Sequence, residues 1–223
     1  MAIRTIEIKK SAFDMNSNRA ERTRIELKNE GTFFINVMAS PGAGKTTTLL
    51  ALINKLKSEF KIAVMEADVE STVDAVKISE LTGTHSIQIH TDGQCHMDAD
   101  MTKEGLDGLD NEHFDLIFLE NVGNMVCPAE FDTGSHLNLF ILSVPEGDDK
   151  PLKYPLMYQV SDVVLINKID TLDYFDFSIE RAKHNILMRN KNALIFEISA
   201  KRGDGIDNVC DYIKETIKNW RDK

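Results

Sequence analysis

The chain has 223 residues, 42% of them hydrophobic, enough apolar material for a real core in one large domain or two small ones. Its net charge of -10 argues against a nucleic-acid backbone as the main partner, because phosphate binding needs a basic face. Cys95, Cys127 and Cys210 are too few for a disulfide framework, the start carries no charged-then-apolar leader, and no apolar run approaches the ~20 residues that span a bilayer. A cytoplasmic protein without a membrane partner is expected.

In chain order, residues 2–8 alternate in the manner of a short strand. Residues 18–30 read as a charged helix whose apolar face is little more than Ile25 and Leu27, a peripheral element or a partner contact. Apolar runs suited to buried strands follow at 33–38, 61–65, 86–89, 116–119, 137–144, 163–166 and 194–198. Helical patterns lie between most of them, at 46–58, 73–82, 97–109, 175–189 and 205–220. Such alternation predicts an α/β fold, a mostly parallel sheet with helices on both faces and ligands at the carboxyl ends of the strands. One domain over residues 1–223 is expected, with 1–30 as an N-terminal extension. In the last helix Ile206, Val209, Cys210, Ile213 and Ile217 share a face, so Cys210 is read as a small buried apolar residue.

Between the first buried strand and the next helix stands Ala39-Ser40-Pro41-Gly42-Ala43-Gly44-Lys45-Thr46, the pattern of a phosphate-binding P-loop with Ala39 where the usual motif opens on glycine. Backbone N–H groups of a slender loop close around phosphate, and the following helix adds a partial positive charge. Gly42, Ala43, Gly44, Lys45, Thr46 and Thr47 are the candidate nucleotide contacts, Lys45 for the outer phosphates and the Thr46 hydroxyl for Mg²⁺. Glu120 ends an apolar strand and is placed to hold Mg²⁺ or its water; Gly123 follows, with a bare N–H for a γ-phosphate. Asp68 ends the second strand as a further Mg²⁺ or water partner, or as a helix-capping acid. Asn167-Lys168-Ile169-Asp170 follows another strand. A carboxylate at Asp170 accepts from the paired N1–H and N2–H of guanine, which adenine lacks, and Lys168 would lie over the base. Ser199-Ala200-Lys201 would offer a backbone N–H to guanine O6. The nucleotide is therefore GTP, and the reaction attack of water on its γ-phosphate. No catalytic Gln or internal arginine finger is evident; Lys150 and Lys153 could reach a nucleotide or partner, or be solvated. His85, His90, His113, His136 and His184 are scattered and read as surface or satisfied polar groups.

Cys95 and His96 are adjacent, and Cys127 lies shortly after Gly123. Thiolate and imidazole suit Ni²⁺ and Zn²⁺. On the residues alone, two buried thiols and a surface histidine remain equally open. Three ligands leave a tetrahedral site incomplete, so a second copy or water would finish it.

The P-loop, Glu120-Asn121-Val122-Gly123, Asn167–Asp170 and Ser199–Lys201, with Cys95-His96, Cys127-Pro128 and residues 143–155, together resemble the nickel-chaperone GTPases of the dimerising (SIMIBI-like) P-loop branch, and most closely the HypB family that serves [NiFe]-hydrogenase maturation. The resemblance runs from about residue 30 to the C-terminus. It implies a slow GTPase, a Cys95–His96–Cys127 metal site at a dimer interface, a homodimer favoured by GTP, a HypA-like metallochaperone partner and delivery to the hydrogenase large subunit. Because Cys127 is tied to Gly123, GTP state and metal affinity would be coupled. Residues 1–30 contain no Cys or His, unlike the metal-rich N-termini of many relatives, so nickel storage is not implied. The rival readings are a GTP-gated dimeric module with a structural zinc, and a maturation GTPase for another metalloenzyme such as urease. Cys127-Pro128-Ala129, where the urease counterpart has Cys-Pro-His, argues against the latter.

Overall fold

The computed structural model describes residues 8–68, 73–109 and 112–223. Seven strands form one sheet: β1 (Phe33–Ala39), β2 (Ile62–Asp68), β3 (His85–His90), β4 (Leu116–Glu120), β5 (Leu137–Ser143), β6 (Val163–Asn167) and β7 (Leu194–Glu197). Their order is β3-β2-β4-β1-β5-β6-β7 and every pairing is parallel. Parallel strands need crossover helices, which shield both faces and make the inner strands apolar throughout. β1 accordingly is buried at all its positions.

The helices are α1 (Ile8–Glu30), α2 (Lys45–Leu56), α3 (Val73–Thr82), α4 (Ala99–Asp107), α5 (Cys127–Glu130), α6 (Lys150–Lys153), α7 (Pro155–Val160), α8 (Ile179–Leu187) and α9 (Ile206–Arg221). The two-residue period of the strands sorts the core. Phe33, Ile35, Val37 and Ala39 of β1 face α2 and α9, while Phe34 and Met38 face the opposite layer. On α2 the residues Leu49, Leu52, Ile53 and Leu56 are fully buried at helical spacing, each stabilising by about 1.5–3 kcal/mol. Cys210 sits in the same cluster, 2% exposed, and burial raises its thiol to about 11.

α1 lacks an apolar stripe yet packs against α4 and β1 through buried Asn16, Ala20, Thr23 and Leu27. Of the strand expected over 2–8, residues 2–7 lie outside the described residues, and Ile8 already opens α1. The helix expected over 97–109 starts later because Asp98 caps it, accepting from the Met101 N–H at 2.9 Å. The helix expected from 175 starts at Ile179 for the same reason: Ser178 accepts from the Arg181 N–H at 3.2 Å. α5, α6 and α7 were not expected; each is short and carries proline in its first turn. No helix among the described residues is long and apolar enough to cross a membrane.

Candidate nucleotide and metal site

The candidate nucleotide and metal residues lie at or beyond the carboxyl ends of the strands. Ala39 ends β1 in extended backbone, and the non-glycine residues with left-handed φ among those described are Asp92 and Lys168. The loop therefore needs no glycine at 39. It does need one at 44: Gly44 has φ 101°, and a Cβ there would lie 2.7 Å from Asn167 Nδ2. α2 begins directly after it, with no acidic residue in its first turn to compete for phosphate.

Asn167 stitches the nucleotide motifs together. Its Nδ2 donates to the Ala43 carbonyl at 3.0 Å, and its Oδ1 accepts from the N–H groups of Lys168 at 2.8 Å and Ala200 at 3.1 Å. Lys168 donates from Nζ to the Gly42 carbonyl at 2.6 Å. The Ser199 hydroxyl donates to Asp170 at 2.6 Å and holds that carboxyl below its usual range, ionised and ready to accept. Gly44, Thr47, Asn167, Lys168, Asp170 and Lys201 line a cleft of about 290 Å³.

Beside it, the Thr46 hydroxyl donates to Glu120 Oε1 at 3.1 Å, and Glu120 is 2% exposed. This all-oxygen pair fits Mg²⁺. Asp68 ends β2 in register with His90 of β3, half-buried. The helix-capping alternative for Asp68 involves the segment that follows it, 69–72, which lies outside the described residues. Gly123 abuts the P-loop: a Cβ there would lie 3.2 Å from Pro41 Cγ and 3.3 Å from Lys45 Nζ.

Cys95 and His96 sit in the loop between β3 and α4, and Cys127 opens α5. Their ligand atoms lie within 4.8 Å of one another, with the two Sγ atoms 2.9 Å apart. The His96 ring stacks on Phe131 at 3.9 Å between centroids, and its buried Nδ1 has no hydrogen-bond partner among the described residues. Burial holds the imidazole below its ordinary pKa, against the pull of Asp98 and Glu130, so the neutral ligating form prevails. The Cys127 thiol is raised by its hydrogen bond with Cys95 and by burial. Soft sulfur and an unengaged imidazole nitrogen fit Ni²⁺ or Zn²⁺. Asn124 joins the two segments, donating to the Cys95 carbonyl at 3.3 Å and accepting from the Val126 N–H at 2.8 Å.

The two candidate lysines pair locally: Lys153 bonds Asp149 at 2.5 Å, and Lys150 lies over the Tyr154 ring at 5.2 Å. Three polar residues were not singled out from sequence. Glu146 accepts from the Ser143 N–H and hydroxyl, both at 2.8 Å, and from the Ser40 hydroxyl of the P-loop. Its signal was the Ser-x-x-Glu spacing of a capping box. Glu66, 3% exposed, stands beside Glu120 in the β2–β4 register. Its signal was a carboxylate inside an apolar strand. Asn121, fully buried, follows Glu120 with no such signal.

A P-loop between the central parallel strand and its helix, with a base cleft built from Asn167 and Asp170, defines a P-loop NTPase. Residues 33–197 match the family described as "CobW/HypB/UreG, nucleotide-binding domain". A relative from Helicobacter hepaticus, "Hydrogenase/urease maturation factor HypB", is 39% identical over 216 residues, covering 95% of this chain and 88% of its own. The "Crystal structure of HypB from Helicobacter pylori in complex with nickel" superposes with a TM-score of 0.86 at 35% identity, over 92% of this chain and 96% of that one. The signal recognition particle receptor FtsY from Elizabethkingia anophelis, in complex with GDP, shares the fold alone: TM-score 0.57, 14% identity, 83% of this chain and 68% of that one. The chain belongs to the CobW/HypB/UreG family, and within it to the HypB proteins.

Proposed function

We propose that the protein is a GTP-hydrolysing nickel carrier that dimerises with GTP and helps load a [NiFe]-hydrogenase precursor in the cytoplasm. One connection carries this reading. Gly123 lies against Lys45 and Pro41, and Cys127, on the same segment, belongs to the Cys95–His96–Cys127 cluster. A γ-phosphate held by Lys45 would draw the Gly123 N–H, and Cys127 would shift with it.

Asp170 selects guanine by accepting from N1–H and N2–H. Thr46 and Glu120 would hold Mg²⁺, with Asp68 at the same carboxyl end of the sheet, and the ion would supply charge neutralisation at the phosphoryl group. Lys45 and the loop N–H groups fix the phosphates, and the Gly123 N–H orients the γ-phosphate. Nickel is the cargo, held by three protein ligands and completed by water or by the second copy of a homodimer. A HypA-like metallochaperone and the hydrogenase large subunit are the partners on either side of the transfer. The H. hepaticus relative is named a hydrogenase/urease maturation factor, which supports urease as a second recipient. A structural zinc site is the rival reading, and it predicts slow metal exchange.

The test is a Ni²⁺ and Zn²⁺ titration with GDP and with a non-hydrolysable GTP analogue, reading mass in solution alongside affinity. The expected result is reversible nickel binding that differs between the two states and is lost in Cys95→Ala and Cys127→Ala. Binding that ignores the nucleotide and survives either substitution overturns the reading.

A further inference from the structure

We propose that Asn121 is the positioning residue through which the nucleotide sets the geometry of the Cys95–His96–Cys127 cluster; this rests on the switch-coupled reading above. Asn121 is fully buried just past the end of β4. Its Oδ1 accepts from two backbone N–H groups on different segments, Val122 at 2.8 Å and Met97 at 3.3 Å. Val122 adjoins Gly123, which touches the P-loop. Met97 adjoins His96 and is itself fully buried, so its N–H has no solvent to turn to. One oxygen thus holds both the residue next to the phosphate sensor and the residue next to a metal ligand.

The amide cannot swing freely. Its Nδ2 donates to Asn36 Oδ1 of β1 at 3.0 Å, and Asn36 Nδ2 donates to Asn138 Oδ1 of β5 at 3.0 Å. The Ser135 hydroxyl donates to that same Asn138 oxygen at 3.1 Å. This chain of amides crosses the middle of the sheet, and rotating one member strands a buried donor or acceptor. When the Gly123 backbone moves towards a γ-phosphate, the Val122 N–H must re-aim at Asn121 or leave it, and the Met97 N–H shares the oxygen it leaves. A clasp of this kind would pass between discrete arrangements rather than through a continuum, as a coupling element requires.

A second buried amide supplies the comparison. Asn16 of α1 accepts from the Ala99 N–H at 2.8 Å and donates to the Asp132 carbonyl at 2.9 Å. It too bridges the two metal-bearing segments, but its bonds reach neither Val122 nor Gly123. Asn16 braces the cluster, whereas Asn121 connects it to the nucleotide.

The experiment measures Ni²⁺ affinity with GDP and with a non-hydrolysable GTP analogue for the wild type, Asn121→Ala and Asn16→Ala. The wild-type affinities should differ by about fivefold or more between states. Asn16→Ala should weaken nickel binding alike in both states and keep that ratio. Asn121→Ala should still bind nickel and nucleotide, with the ratio brought to about one. Retention of the wild-type ratio in Asn121→Ala overturns the role of Asn121 and leaves the switch-coupled reading intact. A wild-type ratio of one overturns both. Should Asn121→Ala fail to fold, amide hydrogen exchange on the wild type decides. The Met97 and Val122 amides should change protection together when the analogue replaces GDP, and independent behaviour overturns the proposal.

Discussion

The Thr46 hydroxyl donates to the Glu120 carboxylate across 3.1 Å, joining the first turn after the P-loop to the end of the neighbouring strand. The pair is preformed, so a cation entering between them meets oxygens already in place. Glu120→Gln removes the charge and keeps the shape. GTP hydrolysis should fall on the order of 10²-fold, and the Mg²⁺ concentration for half-maximal rate should rise. A Mg²⁺ titration of turnover in both proteins checks this; an unchanged Mg²⁺ requirement would remove Glu120 from the site.

Asp170 is the residue proposed to select the base. Asp170→Asn keeps an acceptor for a purine N1–H but replaces the other acceptor with an amine. Affinity for GTP should drop about 10²-fold or more, while xanthosine triphosphate, with a carbonyl at C2, should gain. Competition binding with the two nucleotides reads the swap directly.

At position 123 space is the issue. In Gly123→Ala the new Cβ lies 3.2 Å from Pro41 Cγ and 3.3 Å from Lys45 Nζ. Affinity for the GTP analogue should weaken about tenfold, with GDP affected less, because the pressure falls where the γ-phosphate is proposed to be sensed. Calorimetric titration with both nucleotides distinguishes this from a general loss of binding.

His136 gives the fold a pH dependence of known sign. Its Nδ1 accepts from the Phe34 N–H at 3.0 Å and its Nε2 lies 3.1 Å from the Arg24 carbonyl, so the neutral ring is the form that fits. Burial lowers its pKa from 6.5 to about 4; Arg24 and Lys28 of α1 push the same way, and Glu21 and the Arg24 carbonyl oppose them. The unfolded chain therefore takes up this proton first as pH falls. The stabilisation is complete above 6.5 and is lost between 6.5 and about 4, amounting to about 2 kcal/mol after allowance for solvent screening. Thermal unfolding across that range should slope less steeply in His136→Asn than in the wild type.

The P-loop and the Asn167–Asp170 motif were legible because their chemistry is contiguous and each follows an apolar run. The Cys95–His96–Cys127 grouping could be preferred over two buried thiols and a surface histidine only through family resemblance. Cys95 and Cys127 meet across loops whose approach no local pattern records. Asn36 and Asn138 are polar residues within strands β1 and β5, and a lone polar residue in a buried strand does not announce its partner. α5, α6 and α7 have four to six residues, too few for a helical period to show. Gly123 could be named as a sensor from its place after Glu120, but its contact with Lys45 is a property of the fold.

Because every strand points the same way, the candidate nucleotide and metal residues gather on one rim of the sheet. The opposite rim carries the turns that lead into the strands, among them those at Gly31 and Gly83, where no atom lies within 4 Å of the place a Cβ would take, and the exposed Lys191-Asn192. A dye or surface tether attached at Lys191 would sit a full strand length from the chemistry. Molecules immobilised in that way would present the P-loop and the Cys95–His96–Cys127 cluster outward, where the binding of a nucleotide, a metal ion or a second protein could be timed.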